Sequence, residues 1–335
     1  MAFQNELLDE KDGQLLLALA KDCRAPLSTL SERVGLSVSS VSQRISKLEE
    51  SGVIKNYKLV LNHKAFPLDE FDIYYKLADV SEFAVKNVMK HLNECPYTTQ
   101  VLGTMGYADV RVTMFARNMQ HLSKILEETE RLFSSHIHSR TILAVSRKFK
   151  ARPEVFLTAI FGEQAVARTV QQVYKETAAQ LDSVDKRLIT ALAADPRASY
   201  ASLAKLVELT PEAVSARVRG LEEHGIILGY QALIDGPRLG YRFAVLLLRL
   251  RYFSEQERKA ITAVLSENKR VSSAVETIGD FTLSVTFFGK TLDELRETEL
   301  AFRASFGAAV VKSALLFILE NEKYPHLATG LLEDA

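Results

Sequence analysis

Residues 8–57 read LDEKDGQLLLALAKDCRAPLSTLSERVGLSVSSVSQRISKLEESGVIKNY, and residues 181–230 read LDSVDKRLITALAADPRASYASLAKLVELTPEAVSARVRGLEEHGIILGY. Asp9 matches Asp182 at an offset of 182 − 9 = 173, and the same offset still joins Gly106 to Gly279. Further pairs at this offset are Asp12/Asp185, Arg24/Arg197, Arg44/Arg217, Gly52/Gly225 and Tyr57/Tyr230. Such a period is much longer than that of stacked repeat proteins, so each copy is expected to have its own core.

Composition excludes several classes of protein. The chain has 335 residues, enough for several domains, and 42 Lys+Arg balance 42 Asp+Glu. The overall charge therefore gives no support for a nucleic-acid partner, and that case depends on local residues. No signal peptide or membrane-spanning segment is expected. Cys23 and Cys95 have no metal-site spacing, which predicts reduced, partly buried thiols in a cytoplasmic protein without metal or cofactor.

The first part of each copy predicts a helix-turn-helix. Leucines at helical spacing indicate a first helix, a short second helix follows, and Gly35 suits the left-handed turn after it. Ser37 can cap the third helix, and Thr210 with Pro211 at the first helical position does so in copy two. The inward-facing side of the third helix is predicted to be Val41, Ile45 and Leu48, matched by Val214, Val218 and Leu221. Val/Ile/Tyr-rich segments then predict a two-stranded wing in each copy.

The outer face of the third helix is the candidate DNA surface. In copy one it carries short hydrogen-bonding groups and cations, which suit a major groove: Ser39, Ser40, Gln43, Arg44, Ser46 and Lys47. Copy two has Glu212, Ala213, Ala216, Arg217 and Arg219 there, a weaker contact face. Residues 9–62 hold 8 Lys/Arg against 7 Asp/Glu and residues 182–236 hold 6 against 8, so a dimerisation or protein-docking module remains an alternative.

The second part of each copy predicts a βαββαβ unit of the ferredoxin-like type. Two helices cover one face of such a sheet, and the other face requires a partner, commonly another sheet. The predicted fold class is therefore α+β, with two winged helix-turn-helix domains and two βαββαβ domains in tandem. The predicted boundaries are 1–62, 66–150, a linker helix over 151–180, 181–236, 240–325 and a C-terminal tail over 326–335.

One loop of the βαββαβ unit is a candidate ligand site. It reads Gly106-Tyr107-Ala108-Asp109 in copy one and Gly279-Asp280-Phe281-Thr282 in copy two. A glycine lets a ligand approach the backbone, and the Asp109 carboxylate could receive an ammonium group. The alternative is a plain hairpin turn with one capping acid, which the spacing alone favours.

The pattern LDxxDxxLLxxLxxDxR, the capped helix ending RxxxLEExGVI and the βαββαβ unit with Gly-x-x-Asp together resemble the Lrp/AsnC family of transcriptional regulators. The resemblance covers residues 7–149 and 180–324. It implies a DNA-reading winged helix joined to a sensing domain for small molecules, often amino acids, and dimers that associate further. By this resemblance, Ser40, Gln43, Arg44 and Lys47 lie on the DNA-reading helix. The full set of predicted DNA contacts is Ser39, Ser40, Gln43, Arg44, Lys47, Lys55, Lys58, Arg217 and Arg219. Gly106, Asp109 and Gly279 lie on the family's effector-loop motif, and Thr282 replaces the aspartate of that motif in copy two. The full set of predicted effector-binding residues is Gly106, Tyr107, Asp109, Gly279, Asp280 and Thr282.

Most family members carry one such unit, whereas two are fused here. Val166, Val170, Val173 and Tyr174 lie at helical spacing and predict the linker helix. We expect the two βαββαβ domains to pair within one chain as a covalent pseudo-dimer, with homo-oligomers of such chains. Because symmetric dimers read palindromes, the divergent copies are expected to read an asymmetric operator on double-stranded DNA.

Two other functions are compatible with this architecture. One is an enzyme that resembles siroheme decarboxylases, in which histidines and arginines would hold a carboxylate-rich tetrapyrrole; its candidates are His136, His138, Arg140, Arg147 and Arg242. The histidine pair has no counterpart in copy two, where Ala309 and Val311 stand, and solvated edge histidines explain it more simply. The other is a ligand sensor that acts through protein partners without binding DNA.

Overall fold

The computed structural model describes residues 8–151, 155–161, 180–251, 254–323 and 329–333. Two compact units arise, and neither coincides with one sequence copy. One unit combines the two helix-turn-helix segments, within Met1–Leu68 and Ile160–Leu239. The other combines the two βαββαβ segments, within Asp69–Ala159 and Gly240–Tyr324. Corresponding segments of the two copies are therefore packed together.

The described helices and strands follow the order predicted from the repeat. The helices are α1 Glu10–Lys21, α2 Leu27–Val34, α3 Val38–Glu50, α4 Glu82–Glu94, α5 Met119–Glu130, α6 Val155–Phe161, α7 Ser183–Ala194, α8 Tyr200–Val207, α9 Pro211–Glu223, α10 Glu255–Glu267, α11 Leu292–Phe306 and α12 Gly330–Glu333. The strands are β1 Ile54–Leu61, β2 Asp69–Leu77, β3 Thr98–Gly106, β4 Val110–Ala116, β5 Ile137–Ala151, β6 Ile227–Ile234, β7 Arg242–Leu250, β8 Val271–Ile278, β9 Leu283–Gly289 and β10 Val310–Lys323.

Each helix-turn-helix is delimited by the predicted caps. Ser37 accepts a hydrogen bond from the backbone N–H of Ser40 at the start of α3, and Thr210 caps α9 in the same way. The turn before α3 contains Gly35 in the left-handed region at φ +66°. Copy two keeps that conformation with Glu208 at φ +59°, which costs free energy that glycine avoids.

The wing prediction was wrong in its pairing. Each copy contributes one strand after its third helix, and β1 pairs antiparallel with β6 to form a two-stranded sheet shared by both copies. The Val/Ile/Tyr-rich pattern identified the strands correctly. It could not identify the partner, because strands pair through backbone N–H and C=O groups, which are the same in every strand.

The βαββαβ segments have the predicted ferredoxin-like strand order. Their sheets run β3-β4-β2-β5 and β8-β9-β7-β10. Buried side chains of α4 and α5 cover one face of the first sheet, and those of α10 and α11 cover one face of the second. Successive side chains of a strand point to opposite faces of the sheet, and on β2 Ile73 and Tyr75 are buried on the face that the helices cover.

The two sheets join edge to edge into one closed barrel of eight strands. β10 of copy two pairs with β3 of copy one, and β5 of copy one pairs with β8 of copy two. The interior contains an apolar cluster drawn from both copies: Tyr74, Ala108, Leu143, Val245, Leu247, Phe281 and Leu316. Closure removes the free sheet edges that otherwise invite association with other chains.

The barrel interior also holds a buried ion pair that is confined to copy one. Arg111 Nη2 lies 2.7 Å from an Asp72 oxygen, and Thr113 donates to the other Asp72 oxygen at 2.7 Å. Asp72 is 1% exposed, so this carboxylate depends on both partners. Copy two has Val245, Ser284 and Thr286 at the matching positions.

The segment between the copies is described in part. Of the predicted linker helix over 151–180, α6 lies within the described residues. The stripe formed by Val166, Val170, Val173 and Tyr174 lies outside the described residues. The predicted tail contains the short helix α12.

Candidate functional site

Helix α3 presents one buried face and one exposed polar face. Val41, Ile45 and Leu48 are 0%, 3% and 3% exposed, which confirms the predicted inward side. On the outer side Ser39, Gln43 and Lys47 are exposed, whereas Ser40 is half-buried. Ser37 Oγ lies 3.0 Å from Ser39 Oγ and 2.8 Å from Ser40 Oγ, so a small hydroxyl cluster surrounds the first turn.

Arg44 faces the start of α1. Its Nη1 lies 2.9 Å from an Asp9 oxygen and 2.7 Å from an Asp12 oxygen. These carboxylates form the capping box of α1, and the hydrogen bonds to Asp12 and Asp9 raise the pKa of the guanidinium. Arg44 therefore fastens α3 to α1, a positioning role that the sequence alone did not separate from DNA contact.

Arg217 repeats the arrangement in copy two. Its Nη1 lies 2.7 Å from an Asp182 oxygen and 2.9 Å from an Asp185 oxygen. The repeat carried a signal for this contact, because both copies hold two aspartates and one arginine at matching positions. The matching pairs are Asp9/Asp182, Asp12/Asp185 and Arg44/Arg217.

The outer face of α9 differs from that of α3. Glu212, Ala216 and Arg219 are exposed, and Gly220 is half-buried. At the offset of 173 they replace Ser39, Gln43, Ser46 and Lys47. The second helix thus carries one carboxylate, one methyl group and one guanidinium where the first carries hydroxyls, an amide and an ammonium group.

The remaining predicted DNA contacts lie on the strand that follows α3. Lys55 is exposed near the start of β1, and Lys58 is half-buried further along it. Both lysines therefore belong to the strand that pairs with β6 of the other copy.

Reciprocal side-chain contacts join the two helix-turn-helix segments. Arg197 of copy two lies over the Tyr57 ring at 4.9 Å, and its Nη1 donates to Tyr57 Oη at 2.9 Å and to Glu49 Oε1 at 3.1 Å. Tyr57 in turn donates to Glu49. Burial, followed by the Glu49 contact, raises the pKa of the Tyr57 hydroxyl, so it remains a donor at neutral pH. We call this set of three residues latch one.

The mirror contact, latch two, is made by Arg24 of copy one. Its guanidinium lies 5.0 Å from the Tyr230 ring centre and 5.1 Å from that of Tyr200, and its Nη1 donates to the Pro196 carbonyl at 2.7 Å. Tyr230 donates to Glu222 at 2.8 Å. Arg24 and Tyr230 were identified as repeated residues, but the sequence did not show that each arginine reaches the other copy.

Backbone hydrogen bonds reinforce the same pairing. The N–H of Asn62 donates to the Ile226 carbonyl at 2.9 Å, and that of Asp235 donates to the Val53 carbonyl at 2.9 Å. Asn62 matches Asp235 and Val53 matches Ile226 at the repeat offset. The two segments therefore form a pseudo-symmetric pair within this unit.

The copy-one loop is occupied by internal hydrogen bonds. Asp109 Oδ2 accepts from the Leu77 N–H at 2.8 Å, and Lys76 Nζ donates to Asp109 Oδ1 at 2.8 Å. Gly106 has φ +118°, and a Cβ there would lie 2.6 Å from the Leu315 carbonyl oxygen of β10. Tyr107 Oη lies 2.8 Å from Thr141 Oγ1. Glycine is thus required by the strand junction, and Asp109 caps the end of β2.

The copy-two loop keeps the backbone geometry with different chemistry. Thr282 Oγ1 accepts from the Leu250 N–H at 2.9 Å, as Asp109 does in copy one. Asp280 lies 3.4 Å from Arg249 and 3.5 Å from Lys312, and all three side chains are nearly half exposed. Gly279 has φ +143°, and a Cβ there would lie 2.8 Å from the Ile142 carbonyl oxygen.

No described helix has both the length and the apolar composition needed to cross a membrane. Within the described part of the chain, no group of three or more His, Cys, Asp or Glu side chains is arranged to hold a metal ion.

Family models match both helix-turn-helix segments. Residues 8–55 match a winged helix-turn-helix DNA-binding model, and residues 181–222 match the AsnC-type helix-turn-helix domain. The two matches begin at the two copies of the repeat quoted above.

Curated relatives resemble one copy each in length. The HTH-type transcriptional regulator FL11 of Pyrococcus horikoshii is 32% identical over 120 residues, which is 36% of this chain and 78% of the relative. The HTH-type transcriptional regulator LrpA of Mycobacterium tuberculosis is 28% identical over 153 residues, which is 45% of this chain and 99% of the relative.

A solved structure resembles the whole chain. The siroheme decarboxylase NirDL has a TM-score of 0.60 at 17% identity, and the match covers 97% of this chain and 98% of that one. At this identity the likeness concerns the fold alone. The repeat, the two family models and the identity to named regulators lead to one assignment: the chain belongs to the Lrp/AsnC family of helix-turn-helix transcriptional regulators and contains two units of that family in one polypeptide.

Proposed function

We propose that this DNA-binding regulator reads its operator chiefly through α3, and that a small molecule changes its DNA binding or assembly. The observation that carries the proposal is that the side chains of α3 fall into three groups: buried, paired with carboxylates, and exposed. Its apolar side is buried and Arg44 is held by two carboxylates, whereas Ser39, Gln43 and Lys47 are exposed on the remaining face.

The chemistry of that face suits a major groove. The Gln43 amide can both accept from and donate to adenine, and the hydroxyls of Ser39 and Ser40 can do either toward several bases. Lys47, with Lys55 and Lys58 on β1, supplies phosphate contacts that provide affinity without sequence information. Arg44 supports the face from behind.

The intrachain pair takes the place of the dimer. The latches and the β1–β6 sheet hold two helix-turn-helix segments together, and the barrel joins the two sensing segments. Because α3 and α9 differ, the operator would be asymmetric. We further propose that such chains form homo-oligomers.

The effector is proposed to bind near the Gly106 and Gly279 loops. Both loops lie where strands of different copies meet, so a ligand that favours one packing of the copies would shift the equilibrium between assembly states. Residues near it are Tyr107 and Asp109 in copy one and Asp280 with Thr282 in copy two. We propose an amino acid or a related metabolite as this effector.

A band-shift series on DNA upstream of the protein's own gene tests the DNA assignment. Lys47→Ala is expected to weaken binding to all sequences and to lower the slope of log affinity against log salt by about 1. Gln43→Ala should weaken binding to the operator more than to bulk DNA. Lys21→Ala, a charge loss at the exposed end of α1, is the matched control.

The proposal fails if wild-type protein binds no DNA even at low salt. It also fails in its assignment of residues if Lys47→Ala behaves like Lys21→Ala. Amino-acid pools added to the same assay identify the effector by a change in the position or the amount of the complex.

An enzyme is the second candidate, favoured by the whole-chain likeness to a siroheme decarboxylase. His138 is exposed at the start of β5, Arg140 pairs with Glu130, and Arg147 lies 3.9 Å from Glu276. Both of these arginines therefore lie against carboxylates, which compete with the carboxylates of a tetrapyrrole. An unchanged Soret band on adding an iron tetrapyrrole to the protein would exclude this candidate.

A further inference from the structure

We propose that α9 reads a base pair of its own, with Glu212 accepting a hydrogen bond from the N4 amino group of a cytosine in the second half-site. This inference rests on the proposed DNA-binding function. It assigns to copy two a base specificity different from that of copy one, whereas the sequence alone predicted only that α9 contacts DNA more weakly than α3.

The position of Glu212 is that of a base-reading residue. Recognition helices contact base edges through residues near their N-terminus. Glu212 is the second residue of α9, directly after Pro211, and its copy-one counterpart is Ser39 of the proposed reading face. The inward side of α9 is fixed by Val214 and Val218, both 0% exposed, so Glu212 remains on the outer side.

The carboxylate is available for such a contact. Glu212 is exposed, and within the described residues no hydrogen bond or ion pair involves its side chain. The cap of α9 is completed by Thr210 alone, which accepts from the Ala213 N–H at 3.2 Å. Arg217, the nearest cation on the helix, is committed to Asp182 and Asp185.

Cytosine is the base that suits an isolated carboxylate. In the major groove cytosine presents an amino donor, whereas thymine and guanine present acceptors that a carboxylate repels. Adenine also has an amino donor, but its N7 acceptor lies beside it and disfavours a second carboxylate oxygen. A carboxylate therefore discriminates for cytosine by both attraction and repulsion.

The neighbouring positions on the same helix face extend the reading. Ala216 is one turn further along and presents a methyl group, which suits contact with a thymine methyl. Arg219 lies about 10 Å from Glu212 along the axis, at a rise of about 1.5 Å per residue, and its guanidinium suits guanine or phosphate. This order of groups has no counterpart among Ser39, Gln43 and Ser46 of α3.

The test is selection of bound duplexes from a randomised pool by the full-length chain, compared with Glu212→Gln and Glu223→Gln. Glu223 is exposed at the other end of α9, so its substitution removes the same charge from the same helix away from the proposed contact. Both substitutions should strengthen binding to bulk DNA through reduced repulsion of phosphates. Glu212→Gln alone should move the preference at one position from cytosine to adenine, because glutamine pairs with adenine N6 and N7.

The expected discrimination is about tenfold at that position, within the range for one good base contact. An unchanged base preference in Glu212→Gln, with affinity altered as in Glu223→Gln, would overturn the inference and leave DNA reading by α3 intact. A palindromic consensus for the wild-type chain would overturn it too. If the wild type enriches no sequence at all, the proposed function itself fails, and that result is distinct from the other two.

Discussion

Alanine substitutions at Gly106 and Gly279 test the closed barrel. Both glycines lie where a strand of one copy meets a strand of the other, at φ +118° and +143°. An added Cβ would lie 2.6 Å from the Leu315 carbonyl oxygen in one case and 2.8 Å from the Ile142 carbonyl oxygen in the other. Since both neighbours are backbone atoms, neither contact can be relieved by turning a side chain.

The expected loss in the free energy of unfolding has a conformational part and a steric part. Gly240 belongs to the same unit and has φ +80°, yet a Cβ there would meet nothing within 4 Å, so Gly240→Ala measures the conformational cost of about 1–2 kcal/mol. Gly106→Ala and Gly279→Ala add a steric clash of about 1–3 kcal/mol, for a total of about 2–5 kcal/mol each. Urea denaturation followed by circular dichroism gives these differences. Costs at Gly106 and Gly279 no larger than at Gly240 would show that the strands of the two copies do not approach each other in this way.

Four other outcomes are expected. Glu208→Gly should raise the free energy of unfolding by about 1 kcal/mol in thermal denaturation, because it relieves the left-handed turn before α9; a loss of stability would contradict that reading. Arg24→Met, which removes latch two but keeps an apolar side chain, should lower the free energy of unfolding in urea by about 1–3 kcal/mol, and no change would mean that the latch is dispensable. Burial raises the pKa of the Cys23 thiol to about 12, so iodoacetamide at pH 8 should label it in urea but not in the native protein, as read by mass spectrometry. The pKa of Asp9 lies below its ordinary 3.8, first because the Asp12 N–H donates to it, so its stabilisation is complete above that ordinary value and is lost as pH falls through the lowered one; Asp9→Asn should reduce the acid sensitivity of unfolding, and an unaltered acid transition would argue against it.

Much of the local structure could be predicted from the sequence because it depends on neighbouring residues. The caps at Ser37 and Thr210, the buried stripe of α3 and the left-handed Gly35 before that helix follow from hydrogen bonding and helical spacing within a few residues. The βαββαβ order was readable for the same reason, since each element carries its own periodicity.

Pairing between the copies could not be predicted in this way. The guanidinium of Arg44 can bind a phosphate or a carboxylate, and its contacts with Asp9 and Asp12 depend on where α1 packs against α3. The buried Asp72–Arg111 pair was not anticipated, because a charged residue inside a strand pattern normally indicates a solvent-facing side. The partner of β1 was equally hidden, since nothing in a strand states which edge it will meet.

The latches also bear on how such a molecule can change. In a dimer of identical subunits every substitution is made twice, so a change that helps one half-site alters the other as well. Here Arg24 and Arg197 hold the two helix-turn-helix segments together, while the position that is Gln43 in α3 is Ala216 in α9. A single substitution can therefore change one recognition helix and leave the other as it is. For the same reason, α9 could be redesigned for a new half-site while α3 is unchanged.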